Sequence, residues 1–153
     1  MIENETLCPD FVDPLETMLG FQLRRTSVAV MNTLTEHLAP LGILTSEASL
    51  LMMIGANPGC TQSDISRVLR AKPANMVPLV NKLVQAGSIE REQGKGRAIA
   101  LSLTNTGQQL YLDVKAVFAR QEVSISRNLS PELRDALIPA LLRICRDACC
   151  PDD

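Results

Sequence analysis

Between Thr61 and Leu103 the apolar spacing changes character twice, and this limits what the chain can fold into more than any bulk property. Thr61 followed by Asp64 is an N-terminal capping signature, in which the hydroxyl caps forward and the carboxylate reaches back. Ile65, Val68 and Leu69 then recur at helical spacing, and Arg70, Ala71 and Lys72 break the period, so the spacing predicts a short helix and a tight turn. Pro73 suits the first position of a second helix and Gly87 the residue just past its end. Between them Met76, Val77, Val80, Leu83 and Val84 form a buried stripe, which leaves Ala74, Asn75, Pro78, Asn81, Lys82 and Gln85 on the outer face. After Gly87 the pattern alternates: Ser88 to Gln93, a turn at Gly94-Lys95-Gly96, then Arg97 to Leu103 with Ile99, Leu101 and Leu103 on one side. That is a β-hairpin with a basic tip.

Helix, turn, helix and hairpin in this order make the winged form of the helix-turn-helix, whose second helix enters the DNA major groove. The net charge of −2 argues against a DNA partner only until it is divided along the chain. Residues 1–60 carry −5 and residues 101–153 carry −1, whereas residues 61–100 carry +4. Positive charge confined to the reading head is what a phosphate backbone attracts, and the acidic remainder stays clear of it.

The flanks read as helices. Asp13-Pro14 opens a long one, with Leu15, Met18, Leu19, Leu23, Val30, Met31, Leu34 and Leu38 as its apolar side and Pro40 with Gly42 as its end. Thr45 is expected to cap a second helix through Leu50, Leu51 and Ile54, which stops at Gly55 and the Asn57-Pro58-Gly59 turn. Beyond the hairpin, Thr104 caps a long helix carrying Leu110, Val114, Val117, Phe118 and Ile125. Ser130-Pro131-Glu132 starts a last one, with Leu133, Leu137, Leu141, Ile144 and Ala148 expected to face inwards. Residues 1–12 show little periodicity.

A chain of 153 residues, 46% apolar and only 3% aromatic, is one helix-rich domain. The expected fold is mainly α with a small β-hairpin wing: a winged helix-turn-helix over residues 45–103, with N- and C-terminal dimerisation helices in residues 1–44 and 104–153. The acidic N-terminus lacks an apolar signal core, and the longest charge-free stretch, Ala48 to Ser63, is interrupted by Gly55, Pro58 and Gly59. A cytoplasmic protein with no membrane partner is the expectation.

Three runs carry a family resemblance: a capping Thr61 ahead of a leucine-spaced helix, the block V-P-L-V-N-K-L-V-Q-A-G-S-I-E-R from Val77 to Arg91, and the ending R-A-I-A-L-S-L-T-x-x-G from Arg97 to Gly107. On these the chain resembles the MarR (multiple antibiotic resistance regulator) transcription factors, over nearly its whole length from Leu19 to about Cys145. The resemblance implies a homodimer of ligand-responsive regulators, most simply a repressor. Its terminal helices would interlock and hold two reading heads about 10 base pairs apart on a near-palindromic operator. The sequence departs from the family at Pro78, where a basic or polar residue is usual. It departs again at Lys95, which replaces an aspartate that would brace the wing arginine, in a wing about two residues shorter.

The candidate DNA-binding residues sort by chemistry. Ala74, Asn75 and Pro78 lie where base edges would be, and asparagine on adenine with alanine on a thymine methyl favours an A·T-containing half-site. Arg67, Lys72 and Lys82 flank that face as phosphate contacts, with Lys95 at the wing tip. Arg97 matches the wing arginine that the family inserts into the minor groove.

For an effector, the resemblance implies a pocket near Phe21, Arg24, Arg25, His37 and Met52, suited to an aromatic acid or its thioester because a guanidinium stands beside an apolar wall. The plainer alternative makes Phe21 and Met52 core, the arginines surface pairs and His37 a helix C-terminal cation.

The odd cysteine count, at Cys8, Cys60, Cys145, Cys149 and Cys150, makes free thiols the default. Cys60 ahead of a helix N-terminus has the position of a lowered-pKa redox thiol, so a thiol-based sensor is one alternative reading. From another class, the module would bind protein rather than a specific DNA site. A single His and the lack of a Cys-x-x-Cys pair argue against a metal, and no cofactor is implied. With no Gly-rich phosphate loop and no G-x-S-x-G elbow, an enzyme is not expected. Replacing Arg97 with Ala is expected to weaken operator binding and flatten its salt dependence by about one phosphate equivalent, read from a salt titration. Unchanged affinity would remove the wing from the mechanism.

Overall fold

A computed structural model describes residues 12–94 and 98–149. The order is α1 (Leu19–Leu38), a short 3-10 turn (Ala39–Leu41), α2 (Thr45–Ala56), β1 (Cys60–Thr61), α3 (Gln62–Val68), α4 (Pro73–Gln85), β2 (Ile89–Gln93), β3 (Ile99–Leu103), α5 (Asn105–Ser126) and α6 (Pro131–Cys149). Among the described residues no single helix is long and apolar enough to cross a membrane.

At the centre lies α2. Its Ala48, Leu50, Leu51 and Ile54 are wholly enclosed, each of the three larger side chains worth about 1.5–3 kcal/mol of burial. A helix apolar on nearly every side is stable only inside a core, and α1, α4, β3 and α5 all pack around this one. From them come Leu34 and Leu38 of α1, Met76, Val80 and Leu83 of α4, Leu101 of β3, and Val114 and Val117 of α5. The helix does not begin with a Thr45 cap as the sequence reading expected. Thr45 is already helical, Leu44 precedes it in extended conformation, and the Glu47 carboxylate accepts the Leu44 N–H at 3.1 Å.

The expected long first helix is also shorter. Asp13 Oδ1 accepts the Leu15 N–H at 2.9 Å, and its other oxygen pairs with Arg25 at 2.7 Å. These bonds fold residues 14–17 into a turn lying back on the helix, which starts only at Leu19. The far end is as expected: Leu38 passes into the 3-10 turn, and Gly42 closes it at φ 66°.

The sheet has three strands in the order β1-β3-β2, all antiparallel. The hairpin register pairs Ile89 with Leu103 and Gln93 with Ile99. The two-residue β1 pairs Cys60 with Leu101 and Thr61 with Ala100, so the segment that caps α3 also ties it to the hairpin. Three apolar positions placed inward by periodicity are exposed instead: Val68, Val77 and Ile99. The core reaches only the inner side of α3 and α4, and Ile99 lies at the far end of the hairpin.

A close approach fixes how α5 leaves the sheet. Thr104 Oγ1 accepts the Gly107 N–H at 3.0 Å and donates to the Gly87 carbonyl at 2.5 Å, joining the start of α5 to the end of α4. Gly107 then passes so near β2 that a Cβ on it would sit 1.7 Å from the Ser88 carbonyl oxygen.

Helix α6 contradicts its expected inward stripe. Leu137 is half-buried, but Leu133, Leu141, Ile144 and Ala148 are exposed, as are Ile138 and Leu142. Its period is amphipathic, yet the core is already closed by α1, α2 and α5. The outer parts of α1 are equally bare, with Leu19, Val28 and Met31 exposed.

Replacing Gly107 with Ala should destabilise the fold by about 3 kcal/mol, the scale of an overpacked backbone contact. That corresponds to a melting temperature lower by roughly 6–12 °C in a chain of this size, measured by circular dichroism. An unchanged melting temperature would mean that α5 does not dock this closely.

Candidate functional site

The capping box read from the sequence is present. The Asp64 N–H reaches Thr61 Oγ1 at 3.2 Å, while Asp64 Oδ2 accepts from the Thr61 N–H at 3.1 Å and from its hydroxyl at 2.7 Å. Those bonds from Thr61 hold the Asp64 carboxyl below its usual range, with Arg67 adding a smaller pull. The depressed value means its share of stability is present above the ordinary carboxylate pKa and is lost as pH falls through the lowered one.

The turn after α3 contains Arg70 at φ 50°, the left-handed region in which non-glycine residues are uncommon. Its guanidinium donates to the Cys145 carbonyl of α6 at 3.1 Å, across 75 residues of sequence. Ala71 N–H closes the turn on the Ser66 carbonyl at 3.0 Å.

Helix α4 presents the face expected of it: Ala74, Asn75, Pro78, Asn81, Lys82 and Gln85 are all exposed. The helix runs through Pro78 without a break in its assignment. Gly87, at φ 68°, ends it. An open cleft of about 620 Å³ lies beside this face, walled by Gln62, Ser63, Ser66 and Arg67 of α3, by Ala71 and Pro73, and by Ala98 and Ile99 of the wing. Arg67 stands on its rim 3.8 Å from Asp64, a loose exposed pair that leaves the guanidinium available to a phosphate. Lys72 is exposed at the start of α4, whereas Lys95 and Arg97 lie outside the described residues, as do Cys8 and Cys150.

Two contacts on α4 had no sequence signal. Arg91 of β2 donates to Asn81 Oδ1 at 2.6 Å, joining the wing to the outer face of the helix. Lys82, expected to be a phosphate contact, instead pairs with the buried Glu47 of α2 at 2.5 Å. Residues 35 positions apart give no periodic cue to such a pairing.

The candidate effector residues are divided by the fold. Phe21, Arg24 and Arg25 line one cleft of about 480 Å³, with Leu15, Val28, Ala29 and Asn32. Arg25 is held there by Asp13, and Arg24 forms no ion pair among the described residues. His37 lies in a second cleft of about 220 Å³ between α1 and α5, with Thr33, Gln121 and Asn128. Met52 joins neither and packs against the core.

Cys60 does not fit the alternative reading of an activated thiol. Half-buried in β1, it has its pKa pushed up mainly by burial and further by the Asp64 carboxylate, while one backbone hydrogen bond pulls the other way. The strand sets the thiol between α2 and α3, beside Met53, Ile65 and Val68. Among the described residues no cluster of His, Cys, Asp and Glu could hold a metal ion.

A capped helix, a tight turn, a helix with a bare polar face and a flanking hairpin define a winged-helix protein of the transcription-regulator type. The profile of the MarR family matches residues 41–98. The chain is 29% identical over 131 residues to the transcriptional regulatory protein for the hcr operon of Thauera aromatica, covering 84% of this chain and 79% of that one. Its fold matches the transcriptional repressor CouR bound to a 23-mer DNA duplex with a TM-score of 0.77, at 28% identity, over 86% of this chain and 94% of that one. It matches CouR bound to p-coumaroyl-CoA equally well, at 0.77 and 28%, over 90% and 98%. Residues 41–98 thus match the MarR family, and over most of its length the chain is similar to winged-helix transcriptional regulators.

In a variant whose other four cysteines are serine, Cys60 should react with an aromatic disulfide reagent more slowly than free cysteine at about pH 8. Faster reaction would restore the redox reading.

Proposed function

We propose that two copies of this chain form a dimer that binds near-palindromic operator DNA as a repressor and releases it on binding an aromatic acid or its thioester. The observation that carries this reading is the exposed polar face of α4 beside the α3–wing cleft, in a fold shared with a repressor seen on a DNA duplex. In this reading Asn75 and Ala74 meet base edges, while Arg67 and Lys72 meet phosphates. The excess of positive charge over residues 61–100 supports it.

The dimer reading rests on the bare apolar side chains of α1 and α6. Leu19, Val28, Met31, Leu133, Ile138 and Leu142 are all exposed on the terminal helices, and clustered apolar exposure of this kind marks an interaction surface. A second copy related by a twofold axis would cover both sets at once.

For the effector, the cleft of Phe21, Arg24 and Arg25 offers an apolar wall with a guanidinium at its edge. CouR, 28% identical, has been solved with p-coumaroyl-CoA, an aromatic acyl thioester. Such a ligand releases DNA only if it binds more tightly to a dimer whose reading heads no longer match the operator. The reading is that of a regulator rather than an enzyme.

The test is a titration of the purified protein on the DNA upstream of its gene, repeated over a salt series and with a panel of aromatic acids and their thioesters. Two chains per duplex are expected, with preference over scrambled DNA of about 1,000-fold or more, a steep loss of affinity with salt, and release by at least one member of the panel. Equal affinity for scrambled DNA would overturn the operator reading, and a monomer in solution would overturn the dimer.

A further inference from the structure

Glu47 is 2% exposed, at the first turn of the central helix α2. Its Oε2 accepts the Leu44 N–H, and its Oε1 has no well-aligned hydrogen bond, so the Lys82 ammonium at 2.5 Å is what compensates the buried charge. A carboxylate this deep is tolerated only with a cation against it. Lys82 itself is 57% exposed and belongs to the outer face of α4, seven residues beyond Asn75 and therefore on nearly the same line of the helix. A tether at Lys82 therefore adds to the core contacts of Met76, Val80 and Leu83 in setting the direction in which Asn75 points. On the opposite edge of that face Asn81 is held by Arg91 of the wing. The presented face is thus tethered along both edges, to the core on one side and to the sheet on the other.

Resting on the DNA-binding reading above, we propose that Glu47 is a specificity-determining positioning residue that never touches DNA: it sets the rotation of α4 through Lys82 and withdraws that lysine from the phosphates. A phosphate could recruit Lys82 only by leaving Glu47 buried and unpaired, so the lysine contributes nothing to counterion release. The reading head holds its recognition helix rigidly while presenting one positive charge fewer to any duplex. Non-specific affinity is lowered, and discrimination between operator and other DNA is raised.

Salt titrations of the full-length protein on operator and scrambled duplexes test this, with Lys82→Met, Lys72→Met and Glu47→Gln. Lys72→Met should flatten the log-affinity against log-salt slope by about 0.9, and Lys82→Met should leave it unchanged. Glu47→Gln frees the ammonium, so the slope should steepen by about 0.9, scrambled DNA should bind more tightly, and the operator-to-scrambled ratio should fall about tenfold. The double variant Glu47→Gln, Lys82→Met should recover the wild-type slope but not the ratio. A slope loss in Lys82→Met equal to that in Lys72→Met would overturn the proposal, and this comparison stands even if Glu47→Gln fails to fold. A wild type without preference for the operator would sink the DNA-binding reading instead. The pair is then read from urea unfolding of the two single variants and the double: the effects on the folding equilibrium should fall short of additivity by about tenfold, and simple additivity would refute the link.

Discussion

The burial of α2 is the constraint on which the other elements depend. Leu50, Leu51 and Ile54 are fully enclosed only because α1, α4, α5 and β3 each contribute one apolar edge. The reading head and the long helices are therefore not separable units. They share a core, and a displacement of α1 or α5 is felt by α4 through the same buried side chains.

That shared core gives physical content to the proposed ligand response. The cleft of Phe21, Arg24 and Arg25 opens on α1, the same helix whose Leu34 and Leu38 pack into the core with α2. Arg70 adds a second route, from the turn between α3 and α4 to the backbone of α6. A regulator of this kind needs elements that move as bodies, and packed helices joined by single polar links provide them.

The charge distribution follows the same division of labour. Acidic residues dominate the segments that would face another copy or solvent, and the basic residues gather in the segment that forms α3, α4 and the wing. Within that segment the charges are not equivalent: Arg67 is only loosely paired, Lys82 is held by a buried carboxylate, and Arg91 bonds to a side chain of α4. A count of cations overstates how many are free to meet a phosphate.

Local signals carried most of the fold because they act over three or four residues. The Thr61–Asp64 box, Pro73 and Gly87 around α4, Thr104 before α5 and Ser130-Pro131 before α6 all lie where the chain's own short-range chemistry places them. The exposed face of α4 was legible for the same reason, since helical spacing alone divides Met76, Val80 and Leu83 from Asn75, Pro78 and Gln85. What only the tertiary structure decided involves partners far apart in sequence. The Asp13–Arg25 pair shortened α1, strand β1 found Leu101, and burial pushed the Cys60 thiol's pKa up, against the alternative redox reading. Three-dimensional packing divided the effector candidates between two clefts and the core, left α6 outside that core, and set Glu47 against Lys82. Sequence periodicity states which side of an element is apolar. It does not state which neighbour, or which charge, that side will meet, because that depends on distances the chain closes only when it folds.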